Sequence, residues 1–216
     1  MTPFPLGLHL VDNQYTDAQR ATHLDWLRKI KPAYINILGG AQHKQAMQFA
    51  HEVRRDVPAT QVIFRHYVDG GDDGLWTRIP DPGWFVEVCE IWGYHQTDWY
   101  IVTDNEANAT DLRPYAKWTA AVMAAASKVG LKLAVGRFST HNPALEKINA
   151  GQLDAMWQAL ADHPEHIWSP NAYFDTGNHD GLKHIKVGLR RMEAVTGKKI
   201  TPVLGEYAYA MNLDPH

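Results

Sequence analysis

Cysteine is almost absent from the sequence, because Cys89 is the only one among 216 residues. A single thiol cannot form an internal disulfide, so a disulfide-stabilised scaffold is excluded. Cys89 lies in an apolar pattern of helical spacing, which predicts a small residue of the core. The pattern around it shows no electropositive neighbours of the kind that activate a thiolate, so a thiol enzyme is not predicted.

An excess of basic charge is also lacking, since 21 Lys and Arg residues stand against 24 Asp and Glu residues, for a net charge of -3. Without a broad basic field, nucleic acid is not an expected partner. No segment approaches the roughly 18 apolar residues of a membrane span, and the N-terminus lacks the basic and apolar regions of a signal peptide. The sequence therefore predicts a soluble protein without a membrane partner.

Several local motifs are missing as well. No G-x-G-x-x-G or G-x-x-x-x-G-K-[ST] follows the first apolar run, and no G-x-S-x-G is present. The 12 histidines include no H-E-x-x-H, and His163 and His166 in "HPEH" are predicted to face solvent after a helix. We therefore predict no metal and no cofactor, and neither nucleotide binding nor esterase chemistry.

What the sequence does contain is an alternation of short apolar runs with helix-length amphipathic segments. Six amphipathic segments predict helices, and Thr16 is a capping candidate for the first of them. Seven runs predict strands: "PLGLHLV", "AYINILGG", "QVIFRHYV", "DWYIVTDNE", "KLAVGRFST", "IWSPNAYFD" and "TPVLGEYAYA". Because parallel strands need crossovers that helices supply, the alternation predicts a single parallel α/β domain over residues 1–216.

Polar residues at the ends of many runs favour a barrel over an open doubly wound sheet. They are Asp12, Asn36, Arg65, His66, Asn105, Glu106, Arg137, Tyr173 and Glu206. The sequence thus predicts a TIM-type (β/α)8-like barrel in which seven strands are visible and the eighth is missing or atypical. An unclosed barrel exposes strand edges, which predicts that a second copy, a partner segment or the C-terminal tail covers them.

Two glutamates carry the predicted chemistry. Glu106 ends the fourth run in "DNEAN", and Glu206 ends the seventh run in "GEYAY". Two carboxyl groups that face each other across a cleft can cleave a glycosidic bond. One protonates the leaving oxygen, while the other, ionised, attacks the anomeric carbon or activates water.

These motifs resemble those of a large clan of retaining (β/α)8 glycoside hydrolases that includes many cellulases, mannanases and β-galactosidases. The resemblance implies that Glu106 is the acid/base, Glu206 the nucleophile and Asn105 a donor to the substrate 2-hydroxyl. Tyr173 is similar in placement to the clan tyrosine that orients the nucleophile. The implied substrate is a β-linked oligosaccharide or polysaccharide. The sequence departs from the clan after Glu106 and before Glu206, where proline and threonine are common.

Additional side chains are predicted to contact the substrate. The full set is Asn36, Arg65, His66, Trp76, Trp84, Asn105, Arg137 and Tyr173. Trp76 and Trp84 lie in a long connection and would form an aromatic wall, since indole rings pack well on sugar C–H faces. His66 would hold a substrate hydroxyl or Glu106, and Arg137 would pair with a carboxylate and help to keep it ionised.

Two other interpretations stay open. Asp104 and Glu106 form an Asp-x-Glu motif, whose side chains point to the same side of a strand. This motif resembles strand four of chitinase-like or lysozyme-like hydrolases, and it implies a carbonyl-assisted or inverting route. The remaining interpretation is a non-catalytic carbohydrate-binding or structural module built on the same scaffold.

Overall fold

The computed structural model describes most of the chain. The described ranges are 7–10, 16–39, 43–66, 75–104, 107, 109–138, 143–175, 180–204 and 207–210. For 7–10, 172–175, 180–182 and 207–210 the description covers the backbone alone.

Strands and helices follow one another along these ranges, but the predicted alternation is interrupted where two helices or two strands are consecutive. The strands are β1 (Gly7–Leu10), β2 (Tyr34–Gly39), β3 (Gln61–His66), β4 (Tyr100–Val102), β5 (Lys132–Val135), β6 (Ile167–Trp168), β7 (Ala172–Asp175) and β8 (Tyr207–Ala210). The helices are α1 (Asp17–Ile30), α2 (His43–Asp56), α3 (Leu75–Arg78), α4 (Pro82–Ile91), α5 (Arg113–Lys128), α6 (Leu145–Asn149), α7 (Asp154–Asp162) and α8 (Asp180–Thr196), with a 3₁₀ helix at Tyr94–Gln96.

All described strand pairs are parallel. Strands β1 to β6 form one sheet in sequential order, and β7 pairs with β8 in a separate two-stranded sheet. A backbone hydrogen bond of 2.9 Å from the Val203 N–H to the Trp168 carbonyl attaches the chain after α8 to β6. Since the strands are parallel, their carboxyl ends lie along a common edge of each sheet.

The α/β class is observed, but the prediction of a seven-stranded TIM-type barrel is wrong. The described strands divide between a six-stranded sheet and a two-stranded sheet and do not form one closed barrel. The run "IWSPNAYFD" was interpreted as one strand, whereas it separates into β6 and β7. Pro170 lies between them and has no N–H with which to continue a ladder, so β6 pairs with β5 and β7 pairs with β8.

Local signals explain where several helices begin and end. Thr16 caps α1 in a capping box with Gln19, as its position predicts. The segment predicted as one helix before "HPEH" divides into α6 and α7, and Gly151 lies between them at φ 74°. That left-handed conformation disfavours residues with a Cβ, which explains the interruption.

The two faces of the main sheet bury different residues. Ile35, Ile37 and Phe64 belong to the larger core, which the helices cover. Residues at alternate positions point the other way, so that Ile63 and Val102 form a smaller apolar cluster with Val203 on the opposite face. We call these the helix-facing side and the second face.

Cys89 is a buried core residue, as predicted. Burial raises the pKa of its thiol to about 12, which disfavours the reactive thiolate. Among the helices that the structure describes, none is both long enough and apolar enough to cross a lipid bilayer.

Candidate functional site

Buried polar side chains lie within or just after the strands of the main sheet. Five of them are Asn36 in the middle of β2, Asp104 after β4, Arg137 after β5, and Ser169 and Asn171 after β6. We call these five residues the polar edge. The pairing of Val102 with Ala134 and of Val135 with Trp168 places the ends of β4, β5 and β6 at neighbouring positions.

Asn36 and Arg65 share the second face. Leu38 is paired with Arg65, and Asn36 is paired with Ile63. Because laterally paired residues point to the same side, the side chains of Asn36 and Arg65 both project from the second face. Asn36 is buried, whereas Arg65 is half-buried.

Arg137 is the one cation among the five residues of the polar edge, and it is fully buried, with 0% exposure. It follows Gly136, whose φ is 71° and whose carbonyl accepts a 3.3 Å hydrogen bond from the Trp168 indole. A Cβ at Gly136 would lie 2.8 Å from the Trp168 side chain, so the close approach requires glycine. This turn of the backbone takes the chain out of β5 and sets the position of Arg137.

Asp104 is buried, with 1% exposure, and its Oδ1 accepts a 2.5 Å hydrogen bond from the Leu75 N–H. This bond attaches the first residue of α3 to the end of β4. Burial first, and then the negative charge of Asp104, raise the pKa of the neighbouring Tyr115. Through this hydrogen bond, Asp104 acts as an anchor for the start of α3.

Removing the Asp104 carboxylate is expected to release the start of α3. In Asp104→Ala, amide exchange at Leu75 should accelerate, and the free energy of unfolding should fall by about 1–3 kcal/mol. Asp104→Asn keeps an acceptor oxygen and should retain most of the protection. Hydrogen exchange by NMR measures both effects.

Asp81→Ala is the matched control, because Asp81 accepts a hydrogen bond from the Gly83 N–H at an exposed helix start. Unchanged exchange at Leu75 in Asp104→Ala would contradict the anchoring role of Asp104.

His66, another side chain that is predicted to contact the substrate, lies on the helix-facing side of the sheet. His66 continues the helix-facing series of Val62 and Phe64, and its Nδ1 lies 2.7 Å from the Tyr94 hydroxyl. It therefore points away from the side chains of Asn36 and Arg65.

Trp76 and Trp84, the two tryptophans of the predicted aromatic wall, differ in their solvent exposure and packing. Trp76 packs edge-on against Tyr115, with 6.0 Å between ring centroids, and contacts the larger core. Trp84 lies on α4 and is 49% exposed. Trp76 thus has a packing role, and Trp84 is the one of the two with a largely open indole.

The predicted catalytic residues Glu106 and Glu206, together with Asn105, lie outside the described residues. The backbone of Tyr173 is described in β7, where it pairs with Ala208, but its side chain lies outside the description. The assignments of these four residues stay predictions. Within the described ranges, no group of three or more His, Cys, Asp or Glu side chains is arranged to hold a metal ion.

A second polar cluster, formed by Ser127, His163, Glu165 and His166, lies between the end of α5 and the start of β6. The prediction that His166 faces solvent is wrong, because its exposure is 4%. Its Nδ1 accepts from the Leu133 N–H at 3.1 Å, so the proton is on Nε2, which donates to the Met123 carbonyl at 3.0 Å. The ring secures the entry into β5, and Ser127 donates to Glu165.

This arrangement predicts that stability falls in mild acid. Burial, the largest influence, lowers the pKa of His166 below 6.5 despite the bond to Met123. The contribution of the neutral ring is complete above pH 6.5. As the pH falls below that value, the unfolded chain binds the proton first, so the free energy of unfolding decreases by up to about 1.4 kcal/mol per pH unit until the folded pKa is reached.

Urea unfolding between pH 8 and pH 5 measures this effect. His166→Gln should make the dependence less steep, because glutamine does not titrate. A slope of the same sign should remain, since burial also lowers the pKa of His43. His51→Gln, which alters an exposed histidine on α2, should leave it steep. Equal slopes for the unmodified chain and His166→Gln would contradict the assignment.

The chain matches no protein-family model and no curated protein. Evidence for a function must therefore come from the geometry of the polar edge and from the chemistry of the residues beside it.

The sequence analysis missed Ser169 and Asn171 as candidate site residues, although both lie in an apolar run that ends in polar residues. It also missed His43 and Tyr94, whose partners are distant in sequence and leave no local signal.

Proposed function

We propose that the protein is a glycoside hydrolase that cleaves a β-linked glycan with retention, using Glu106 as the acid/base and Glu206 as the nucleophile. The observation that supports this most is the polar edge. A buried carboxylate, a buried guanidinium and a buried amide follow the neighbouring strands β4, β5 and β6, and a second buried amide lies within β2 of the same sheet. Such groups can bind sugar hydroxyls and stabilise charge.

In the sequence, both glutamates are close to described residues at or beside this edge. Glu106 follows Asp104 by two residues, and two residues of extended chain span at most about 7 Å. Glu206 directly precedes Tyr207, and Tyr207 is paired with Ala172, the neighbour of Asn171. Covalent geometry alone therefore limits the distance of each glutamate from a residue beside the polar edge.

The polar groups of the polar edge are of kinds that suit the two proposed roles. Arg137 is a buried cation, and a cation near a carboxylate favours its ionised form, as a nucleophile requires. Asn36 and Asn171 are buried amides whose donors and acceptors match sugar hydroxyls. A retaining reaction needs carboxyl groups about 5–5.5 Å apart, whereas inversion needs about 6.5–9.5 Å.

The binding of the Leu75 N–H to Asp104 favours this pair over the Asp-x-Glu alternative. A chitinase-like route assigns Asp104 a part in the reaction itself, whereas here Asp104 holds α3 through a buried backbone bond. We therefore give Asp104 a positioning role and leave the reacting carboxyl groups to Glu106 and Glu206.

The test is the release of reducing sugar from β-glucans, mannans, xylans, galactans, chitin and peptidoglycan. Proton NMR of the first products should show the anomeric configuration of the substrate. An inverted first product would overturn the retaining mechanism. Absence of hydrolysis on every glycan, with binding observed by calorimetry, would favour the non-catalytic carbohydrate-binding module instead.

A further inference from the structure

Five large apolar side chains are strongly exposed among the described residues, and they fall into two groups. Trp26 and Ile30 on α1 are 39% and 50% exposed. Trp84 and Ile91 on α4, and Trp92 directly after it, are 49%, 82% and 40% exposed. Exposed apolar side chains that lie in groups, unlike single ones, mark interaction surfaces.

Each group lies along one side of its helix. Residues four apart are neighbours on a helix surface, so Trp26 and Ile30 form a stripe, which we call the α1 stripe. Trp84 and Ile91 are seven residues apart, which is close to two helical turns, and the half-buried Val88 lies between them. The α4 stripe comprises Trp84, Val88, Ile91 and Trp92.

The two stripes carry opposite charges at the same spacing. Lys29 follows Trp26 by three residues on α1. Glu87 likewise follows Trp84 by three residues on α4. Both charged side chains are exposed, and each flanks its stripe on the same side, about one turn after the tryptophan.

The wider surroundings of the stripes have the same signs. The last turn of α1 contains Arg28 and Lys29, and the exposed Lys31 follows it. Helix α4 contains Glu87 and Glu90, which are both exposed, and its sequence has no Lys or Arg. The α1 stripe and the α4 stripe therefore attract each other, whereas two α4 stripes would repel.

Carboxylates also lie near the bases of α1, but they leave Lys29 available. Asp25 pairs with Lys29 at 2.6 Å, and both side chains are largely exposed, at 62% and 70%. An exposed ion pair contributes little to stability, so Lys29 can exchange Asp25 for a carboxylate of another molecule. Asp56 pairs with Arg28 and Arg55, and its one negative charge does not cancel both.

The two stripes lie on different parts of the surface. Helix α1 leads into β2 and α4 precedes β4, and β3 separates these strands in the sheet. Both stripes are exposed in the single chain. A second molecule is therefore needed to cover either of them.

We propose that the α1 stripe of one copy of this chain packs antiparallel on the α4 stripe of a second copy. In an antiparallel helix pair, positions on the same side of both stripes face each other, which places Lys29 opposite Glu87. The same alignment sets Trp26 beside Ile91. Because this contact joins two different surfaces, it continues from copy to copy as a ring or a filament. It is separate from the strand edges that the sequence predicts to be covered.

Sedimentation velocity over about a hundredfold range of protein concentration tests the association. A contact between single helices is small, so we expect a dissociation constant of about 10–100 µM. Ile30→Gln and Ile91→Gln each replace an exposed apolar side chain and should weaken association about tenfold. Ala155→Gln, at an exposed position of α7, is the matched control and should leave it unchanged.

Mixing the two variants distinguishes unlike from like surfaces. Ile30→Gln keeps an intact α4 stripe, and Ile91→Gln keeps an intact α1 stripe. An equimolar mixture should therefore form dimers with the affinity of the unmodified contact, and these dimers should extend no further. Association that is lost in Ile91→Gln but retained in Ile30→Gln would indicate a symmetric α4 contact and overturn the proposal. A mixture that associates no better than either variant alone would also overturn it.

Charge reversal tests the alignment of the helices. Lys29→Glu places like charges opposite each other and should weaken association about tenfold. Addition of Glu87→Lys to the same chain restores opposite charges and should recover most of the lost affinity. Lys186→Glu, at an exposed position of α8, is the control and should have no effect. Failure of Glu87→Lys to restore association would overturn the proposed alignment.

These outcomes are independent of the proposed function. Neither stripe contains Glu106 or Glu206, and association is measured without a glycan. The variants leave Trp84 unchanged, because the sequence also predicts that it contacts the substrate. Sedimentation of the unmodified chain that does not change with concentration would overturn the proposed contact and leave the hydrolase assignment standing.

Discussion

Arg137→Met is expected to lower the free energy of unfolding by about 3–5 kcal/mol. The Arg137 side chain has no solvent exposure, and a buried guanidinium is tolerated only when acceptors surround it. Methionine keeps much of the apolar stem but removes every hydrogen-bond donor. The acceptors around Arg137 would then have no donor, neither from the side chain nor from water, because the site is buried. Arg137→Lys keeps the charge without the planar fork and should lose less stability than Arg137→Met.

Urea unfolding monitored by circular dichroism measures this loss. Arg113→Met is the matched control, because Arg113 has a side chain that is 58% exposed and pairs with the equally open Asp111. That variant should change stability by less than about 0.5 kcal/mol. A loss below about 1 kcal/mol for Arg137→Met would show that the buried charge is not paired.

Glu106→Gln is expected to lower kcat by about 10²- to 10⁴-fold on a natural glycan, which is the usual contribution of general acid catalysis. Glutamine preserves the shape and hydrogen bonding of the side chain but cannot protonate a leaving oxygen. With a dinitrophenyl glycoside, whose leaving group needs no proton, the first step should be nearly unaffected. A similar loss on both substrates would contradict the acid role of Glu106.

Glu206→Gln should abolish turnover on both substrates, because the neutral amide cannot form the covalent glycosyl intermediate. Azide added to a Glu206→Ala variant can occupy the vacated space and should restore turnover of the dinitrophenyl glycoside with inversion. Glu193→Gln, an exposed carboxylate on α8 paired with Lys199, is the control and should retain full activity. Turnover by Glu206→Gln would exclude Glu206 as the nucleophile.

Local patterns predicted the elements well where their causes are local. The Thr16 cap and the short apolar runs of β2 and β3 depend on neighbours in sequence, and the structure contains both. Pro170 in the sixth run is a local signal that a strand can end there. Whether the run forms one strand or two depends also on the strands with which each half pairs, and the sequence does not specify those partners.

The candidate site was predictable only in part. Arg137 is predicted at a strand end and is buried just after β5, whereas Asn36 is buried in the middle of β2 and not at its end. His66 shows the limit of this reasoning. The sequence predicts His66 at the end of β3, and the structure places it there. Strand alternation directs its side chain to the helix-facing side, where His43 and Tyr94 contact it.

The sequence by itself determined that apolar strands alternate with amphipathic helices and that polar groups follow the strands. These properties arise from side-chain periodicity, caps and turns, which act over a few residues. Only the tertiary structure decided that six strands share one sheet, that Asp104 holds Leu75, and that Tyr94 joins two histidines. Those contacts depend on strand pairing and burial between residues far apart in the chain, and no local pattern specifies them.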